Sequence, residues 1–443
     1  MSTHSDWSRR DVLAAAIGLS ASIQSSAAEP APAGAFPKGF LWGAATAGHQ
    51  VEGNDVNSDV WLLENLKPTI FAERAGDACD SFNRWPEDLD LVRSLGLNSY
   101  RFSLEWSRIE PDEGQFSNAM LDYYKAIISG CRERGLTPVV TFNHFAIPRW
   151  FAARGGWDAP SSAGLFARYC ERTAKALAAQ IGYATTLNEP QLPHLLRWQS
   201  TALPTDFQQR LQRMFVDAGK TTGSEHFASF IGGNTQKMDP NLLEAHKKAY
   251  NAIKSARPDL SVGVNLAIDD DQEVNGGSRR DEKRRDAYGS WMDACKSHAD
   301  FVGVQNYGRQ RIDASGPLTP LAGAELSQMG TEVYPASLEG AIRYAYKASG
   351  RPVLVTENGI ATTDDSRRVA YIPDVVSGVL RAIQSGVPVL GYIHWSLLDN
   401  FEWIFGYTPK FGLVAVDRLT QQRTPKASAQ TFGRIARNNG LPE

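Results

Sequence analysis

The chain of 443 residues carries 46 Lys and Arg against 49 Asp and Glu, a net charge of −3, so no basic field attracts a phosphate backbone and a nucleic-acid binder is disfavoured. With 42% hydrophobic and 21% charged residues there is ample apolar material for a large core, which excludes a disordered chain. No apolar run approaches the ~20 residues of a membrane span. The four cysteines, Cys79, Cys131, Cys170 and Cys295, lack any C-x-x-C spacing and read as buried free thiols, not as a zinc knuckle or redox dithiol.

At the N-terminus, Ser8-Arg9-Arg10-Asp11-Val12-Leu13 precedes an apolar stretch from Ala14 to Ile23 and the small residues Ser26-Ala27-Ala28. Paired arginines, apolar core and small-residue end, in that order, read as a twin-arginine signal peptide over residues 1–28. That reading makes the twin-arginine export machinery a partner of the precursor and places the mature protein in the periplasm or outside the cell. The Ala- and Pro-rich residues 29–35 read as a linker. Residues 36–443 remain as the folded domain.

From Phe40 onward, β-branched or aromatic runs alternate with amphipathic helical stretches, the pattern of βα units around a parallel sheet. The runs are Phe40 to Ala47, Asn98 to Trp106, Thr137 to His144, Tyr183 to Glu189, Ser261 to Ile268, Phe301 to Tyr307, Pro352 to Asn358 and Val389 to Ser396. Between them, Pro86 to Gly96, Ala119 to Gly135 and Leu242 to Arg257 repeat apolar residues at helical spacing. Eight such units predict an α/β fold, a single (β/α)8 TIM barrel. A doubly wound open sheet is the alternative, but no G-x-G-x-x-G follows the first strand.

Polar and titratable residues cluster near the strand ends: Gln50 after the first strand, Arg101 and Glu105 in the second, and His144 closing the third. Asn188 and Glu189 close the fourth, Tyr307 the sixth, Glu357 lies at the end of the seventh and Trp395 of the eighth. In a barrel these ends share one mouth, so residues far apart in sequence converge. Glu189 and Glu357 each end an apolar strand, where a carboxylate must pair with a cation or be used. Arg101 is the obvious cation. Two glutamates facing each other across a mouth suit glycoside hydrolysis, in which one protonates the leaving oxygen and the other attacks the anomeric carbon or activates water.

These residues sit in ordered motifs: Phe40 to Thr46 continuing through Gln50-Val51-Glu52-Gly53, Tyr100-Arg101-Phe102-Ser103 with Trp106-Ser107-Arg108-Ile109, and Asn143-His144-Phe145. Asn188-Glu189-Pro190, Thr356-Glu357-Asn358-Gly359 and Trp395 to Trp403 follow. Together they make a chain that resembles glycoside hydrolase family 1, the β-glucosidase family, from residue 36 to about 425. The resemblance implies a retaining, exo-acting β-glycoside hydrolase, most simply a β-glucosidase, acting on a β-linked glycoside. It assigns Glu357 as nucleophile and Glu189 as acid/base, acting through a covalent glycosyl-enzyme intermediate. It further implies that Gln50, His144, Asn188, Glu402 and Trp403 hydrogen-bond sugar hydroxyls, that Trp395 stacks under the ring, and that Arg101 and Tyr307 keep the nucleophile ionised. No metal and no cofactor is implied.

Two departures stand out. The family usually ends strand six with Asn-Tyr-Tyr, whereas this chain has Gln305-Asn306-Tyr307, and Gln191 to Asp239 shows little family likeness while carrying Trp198, Phe207, Phe215, Phe227 and Phe230. A loop after a barrel strand lines the mouth, so this segment is expected to shape the aglycone side. Asp269-Asp270-Asp271 reads as a solvated charge run in preference to a calcium site. A transglycosylase would use the same intermediate. A noncatalytic sugar-binding barrel typically lacks one of the two glutamates, and a 6-phospho-β-glycosidase usually has Ser in place of Glu402.

Overall fold

The eight apolar runs become eight strands in a computed structural model that describes residues 34–198 and 205–441; the export-signal reading lies outside them. The strands are β1 (Leu41–Ala45), β2 (Ser99–Ser103), β3 (Thr137–Asn143), β4 (Tyr183–Asn188), β5 (Ser261–Ala267), β6 (Phe301–Asn306), β7 (Val353–Asn358) and β8 (Val389–Trp395). Each pairs in parallel with the next, and β8 returns to β1 in the register Ala45 opposite Trp395, which closes the barrel. Strands covered on both sides read as continuous apolar runs, and Val353-Leu354-Val355 is fully buried.

Helices wrap the outside with their apolar stripes inward. The helix Asn118–Glu133 buries Leu121, Tyr124, Ile127, Ile128 and Cys131, and Ser117 caps it by accepting a hydrogen bond from Met120 N at 3.3 Å. Two helices begin earlier than their periodicity predicted: Ser81–Ser94 and Thr235–Ala256 carry Pro86 and Pro240 inside them, where a start was expected in the first case. A proline costs a backbone hydrogen bond in a helix. Burial of Leu89 and Val92 in one helix, and of Met238 and Leu242 in the other, offsets it. All four cysteines are buried and free. Among the described residues, no helix is long and apolar enough to cross a membrane.

Inside the barrel a polar ladder adjoins an apolar cluster that includes Leu41, Val139, Phe301, Leu354 and Ile393. Arg101 Nε donates to Thr141 Oγ1 at 3.1 Å, Thr141 and Thr185 share a hydrogen bond of 2.9 Å, and Asn265 Nδ2 donates to Thr185 at 3.0 Å. Gly303 on β6 leaves room for this ladder, because a side chain there would collide with Asn265. Through Arg101 the ladder reaches Glu357.

Two segments differ from the plain reading of their composition. Lys283, 1% exposed, donates to Asp269 at 2.8 Å and to Asp271 at 2.5 Å, so the acidic run is paired and partly buried instead of solvated. The segment Gln191 to Asp239 is also no mere excursion over the surface. Its helix Thr205–Thr222 places Met214 and Ala218 in a second apolar cluster with Val60, Leu63, Phe71, Phe401 and Tyr407, against which Phe215, Phe227 and Trp403 pack.

Candidate active site

Each side chain at the mouth owes its place to a strand end. Arg101 lies within β2 and Glu357 within β7, while Asn188 and Trp395 are the last residues of β4 and β8. Gln50 rides on the short helical turn Gly48–Val51 after β1, and His144, Glu189 and Tyr307 directly follow β3, β4 and β6. Glu402 and Trp403 come from the loop beyond β8. Glu189 and Trp403 adopt left-handed backbone, with φ of 45° and 48°, a conformation costly for such residues and typical of functional positions.

The two glutamates are held differently. Arg101 Nη1 donates to Glu357 Oε1 at 2.6 Å and the Tyr307 hydroxyl donates to Glu357 Oε2 at 2.6 Å, so both carboxylate oxygens have a strong donor. Among the described residues no side chain hydrogen-bonds the Glu189 carboxyl in this way; its backbone N–H binds Asn265 O at 2.9 Å. Burial raises the pKa of both carboxyls. At Glu357 the guanidinium of Arg101 and the Tyr307 hydroxyl oppose that rise, whereas at Glu189 the neighbouring charge of Glu357 adds to it. Arg101 therefore does not depress Glu357 below the ordinary carboxylate range, as adjacency alone suggested; it limits an increase. The order survives: Glu189 holds its proton to higher pH than Glu357.

Tyr307→Phe tests this balance. The hydroxyl favours the ionised Glu357, so its removal raises that carboxyl further and should move the acid limb of the kcat/KM profile to higher pH. An acid limb that stays in place would detach Tyr307 from the titration of Glu357.

Asn188 is oriented from behind. Its Oδ1 accepts from Arg101 Nη2 at 2.7 Å and from Gln305 Nε2 at 2.8 Å, which leaves its amide N–H groups for the pocket. Gln305, the departure noted in the sequence, thus has a definite task. Asn265 also donates toward the same oxygen at 3.5 Å; sequence reading passed over it, although an Asn inside the apolar run of β5 was a signal.

Opposite the glutamates, Gln50 Nε2 donates to Phe401 O at 2.7 Å and to Glu402 Oε2 at 3.4 Å. Burial, then the charge of Glu357, push the Glu402 carboxyl up to about 8, against hydrogen bonds from Gln50 and Trp395. His144 is kept neutral by burial and by Arg101, which lower its pKa well below the usual histidine value. Its ring lies nearly parallel to Trp395 and Trp403, with centroids 5.8 and 6.0 Å away. Gln50 Oε1 and His144 Nδ1 are buried without a hydrogen-bond partner among the described residues, an arrangement that a polyhydroxylated ligand would relieve. Ten of the eleven residues singled out in the sequence converge at the mouth. Glu105 does not join them: burial holds its carboxyl up at about 8 in a separate acidic cluster with Asp55 and Glu52.

The family model "Glycosyl hydrolase family 1" matches residues 33–313 and 295–441. Among solved structures, the chain is similar to a beta-glycosidase called BGL167, at 50% identity over 92% of this chain and 98% of that one, with a TM-score of 0.86. It is also similar to an apo beta-glucosidase designated 1317, at 44% identity over 91% and 99% of the two chains, with a TM-score of 0.87. A bifunctional beta-D-glucosidase/beta-D-fucosidase of Bifidobacterium breve is 30% identical, over 90% of this chain and 98% of its own. With a closed barrel of the same architecture and a family match along nearly its whole described length, the chain belongs to glycosyl hydrolase family 1 and is an O-glycosyl hydrolase of the β-glucosidase type.

Proposed function

We propose that the chain is a retaining, exo-acting β-glucosidase with Glu357 as nucleophile and Glu189 as acid/base. The observation that carries this reading is the unequal support of the two carboxyls, one doubly bound by Arg101 and Tyr307 and the other without such donors. Protonated Glu189 gives its proton to the departing glycosidic oxygen while ionised Glu357 attacks the anomeric carbon. Glu189, now a base, takes a proton from the water that releases the sugar. Gln50, His144, Asn188, Glu402 and Trp403 supply donors and acceptors for the hydroxyls of one terminal sugar, which favours exo action, and Trp395 offers its face to the ring. An alcohol in place of water would give transglycosylation from the same intermediate.

The test is a panel of aryl β-glycosides at matched concentration, with the anomer of the first released sugar followed by NMR. β-Glucoside should be among the best substrates and β-glucose should appear first. α-Glucose as the first product would overturn retention, and inactivity on every exo substrate would overturn the glycone assignment.

Glu402 should carry much of the glycone recognition, since its two carboxyl oxygens can bond adjacent hydroxyls, the bonds becoming charge-assisted once the group ionises near pH 8. Glu402→Ala is expected to lower kcat/KM by roughly tenfold or more per bond lost. Unchanged kinetics on aryl glucosides would put Glu402 outside the sugar subsite.

We further propose that residues 1–28 export the folded enzyme through the twin-arginine route, to the periplasm or beyond. The arginine pair, apolar stretch and small-residue end support this. Replacing Arg9 and Arg10 together by Lys should retain activity inside the cell, and export equal to that of the unaltered chain would sink the proposal.

A further inference from the structure

His49 precedes Gln50 on the Gly48–Val51 turn, is 2% exposed, and takes no part in the chemistry described so far. Its imidazole is clamped by two carboxylates: Nδ1 lies 3.7 Å from Asp55 Oδ2 and Nε2 lies 3.6 Å from Glu64 Oε2, with Ser58 Oγ 3.4 Å from Nδ1. Burial opposes a charge on the ring, but Asp55 and Glu64 outweigh it and push the pKa up to about 10. Asp59 and Glu105 feel the same charge from further off. The Asp55 and Glu64 carboxylates both favour the protonated ring.

That ring is within 9° of parallel to the indole of Trp403, at 5.8 Å between centroids, inside the range at which a cation interacts with an aromatic face. Trp403 needs such support. Its backbone is left-handed, its side chain is only partly buried, and it sits on a single tight turn, Trp403–Phe405. From Trp403 the series of near-parallel rings continues to His144 and Trp395, so one aromatic file links the acidic cluster to the sugar pocket. The file begins at His49 beside its two carboxylates and passes through His144.

We propose that His49 is a positioning residue: clamped by Asp55 and Glu64 and stacked against Trp403, it holds that indole in the orientation that meets the glycone. This rests on the reading of Trp403 as a glycone contact. A cation at the indole face also draws electron density from the ring, which makes the indole N–H a better donor to a sugar hydroxyl. A histidine that merely filled the core would have neither effect.

The test is a double-mutant cycle on 4-nitrophenyl β-glucoside using His49→Gln, Trp403→Phe and the pair. Each single variant should lower kcat/KM by about tenfold, and the pair should be no worse than Trp403→Phe alone, because His49 acts through the indole. If Trp403→Phe is impaired and the two losses multiply, the role of His49 is overturned while the glycone reading stands. If Trp403→Phe leaves kcat/KM unchanged, the glycone reading falls and the role of His49 falls with it. Should His49→Gln fail to fold, the unaltered enzyme with ¹⁵N-labelled histidine decides. One imidazole should keep both nitrogens protonated up to about pH 9 and should shift when the glucose-shaped inhibitor 1-deoxynojirimycin binds. The absence of such a histidine, or signals that do not respond to the inhibitor, would overturn the proposal.

Discussion

Glu357→Gln should lower kcat/KM on activated and unactivated β-glucosides alike, by on the order of 10⁴-fold or more, because an amide cannot form the glycosyl ester. No choice of leaving group compensates for a missing nucleophile. The substitution is nearly isosteric, and its carbonyl oxygen can still accept from Tyr307 or Arg101, so the pocket should keep its shape. It does leave Arg101, which is 0% exposed, without its counter-charge, and removing one partner of a buried pair typically costs about 3 to 5 kcal/mol. Thermal unfolding must therefore be measured beside the kinetics. Glu357→Gly with added azide offers a positive result: azide entering the emptied site displaces the aryl group directly and yields the α-glucosyl azide. Full activity of Glu357→Gln in freshly purified protein would remove it as nucleophile.

Glu189→Gln should behave differently on different substrates. It removes the proton donor and the later base, a contribution typically of about 10² to 10⁴ in rate, but a dinitrophenolate leaving group hardly needs that proton. Its first step should persist on dinitrophenyl glucoside while hydrolysis of the intermediate slows, giving a burst of phenol and then a slow steady state. On alkyl glucosides the same variant should be nearly inert. Azide needs no general base, so it should accelerate turnover and trap the sugar as the β-glucosyl azide. Opposite azide anomers from the two sites would separate their roles without reference to any relative. If the Glu189 variant were equally slow on both classes of glucoside, with no burst and no azide response, the acid/base assignment would be abandoned.

The strands were legible because eight apolar runs recur, seven of them with polar residues near one end, and each barrel strand lies within the run that announced it. Helix starts were less so: a proline suggests a first turn, yet the turn before Pro86 is still helical, since packing of the apolar stripe decides where a helix begins. The mouth was legible for the same reason as the strands, because strand ends converge in a barrel. What lies behind the mouth was not. The grip of Gln305 on Asn188 joins positions 117 residues apart, and the stack of His49 on Trp403 joins the loops after the first and last barrel strands, so no local spacing reveals either. Burial was also invisible. A list of neighbours shows Arg101 beside Glu357, but only the closed barrel shows that the carboxyl is cut off from water, and this reverses the sign of its net shift. The acidic run at 269–271 was misread for want of Lys283, a partner 12 residues beyond Asp271.

The second apolar cluster has a bearing on how such an enzyme diversifies. The helix Thr205–Thr222, from the segment in which the sequence alone showed little family likeness, shares that cluster with Phe401 and with Trp403 from the loop that also bears Glu402. Phe230 of the same segment stacks on Phe145 at 5.0 Å, and Phe145 meets Trp403 edge-on at 5.2 Å. Core contacts of this kind transmit small changes in volume, because packed side chains have little slack. The segment is therefore not a detachable module. A chimera that imports the corresponding stretch from a relative also replaces packing under the loop that bears Glu402 and Trp403, so changes at Met214 or Phe230 are constrained by that loop.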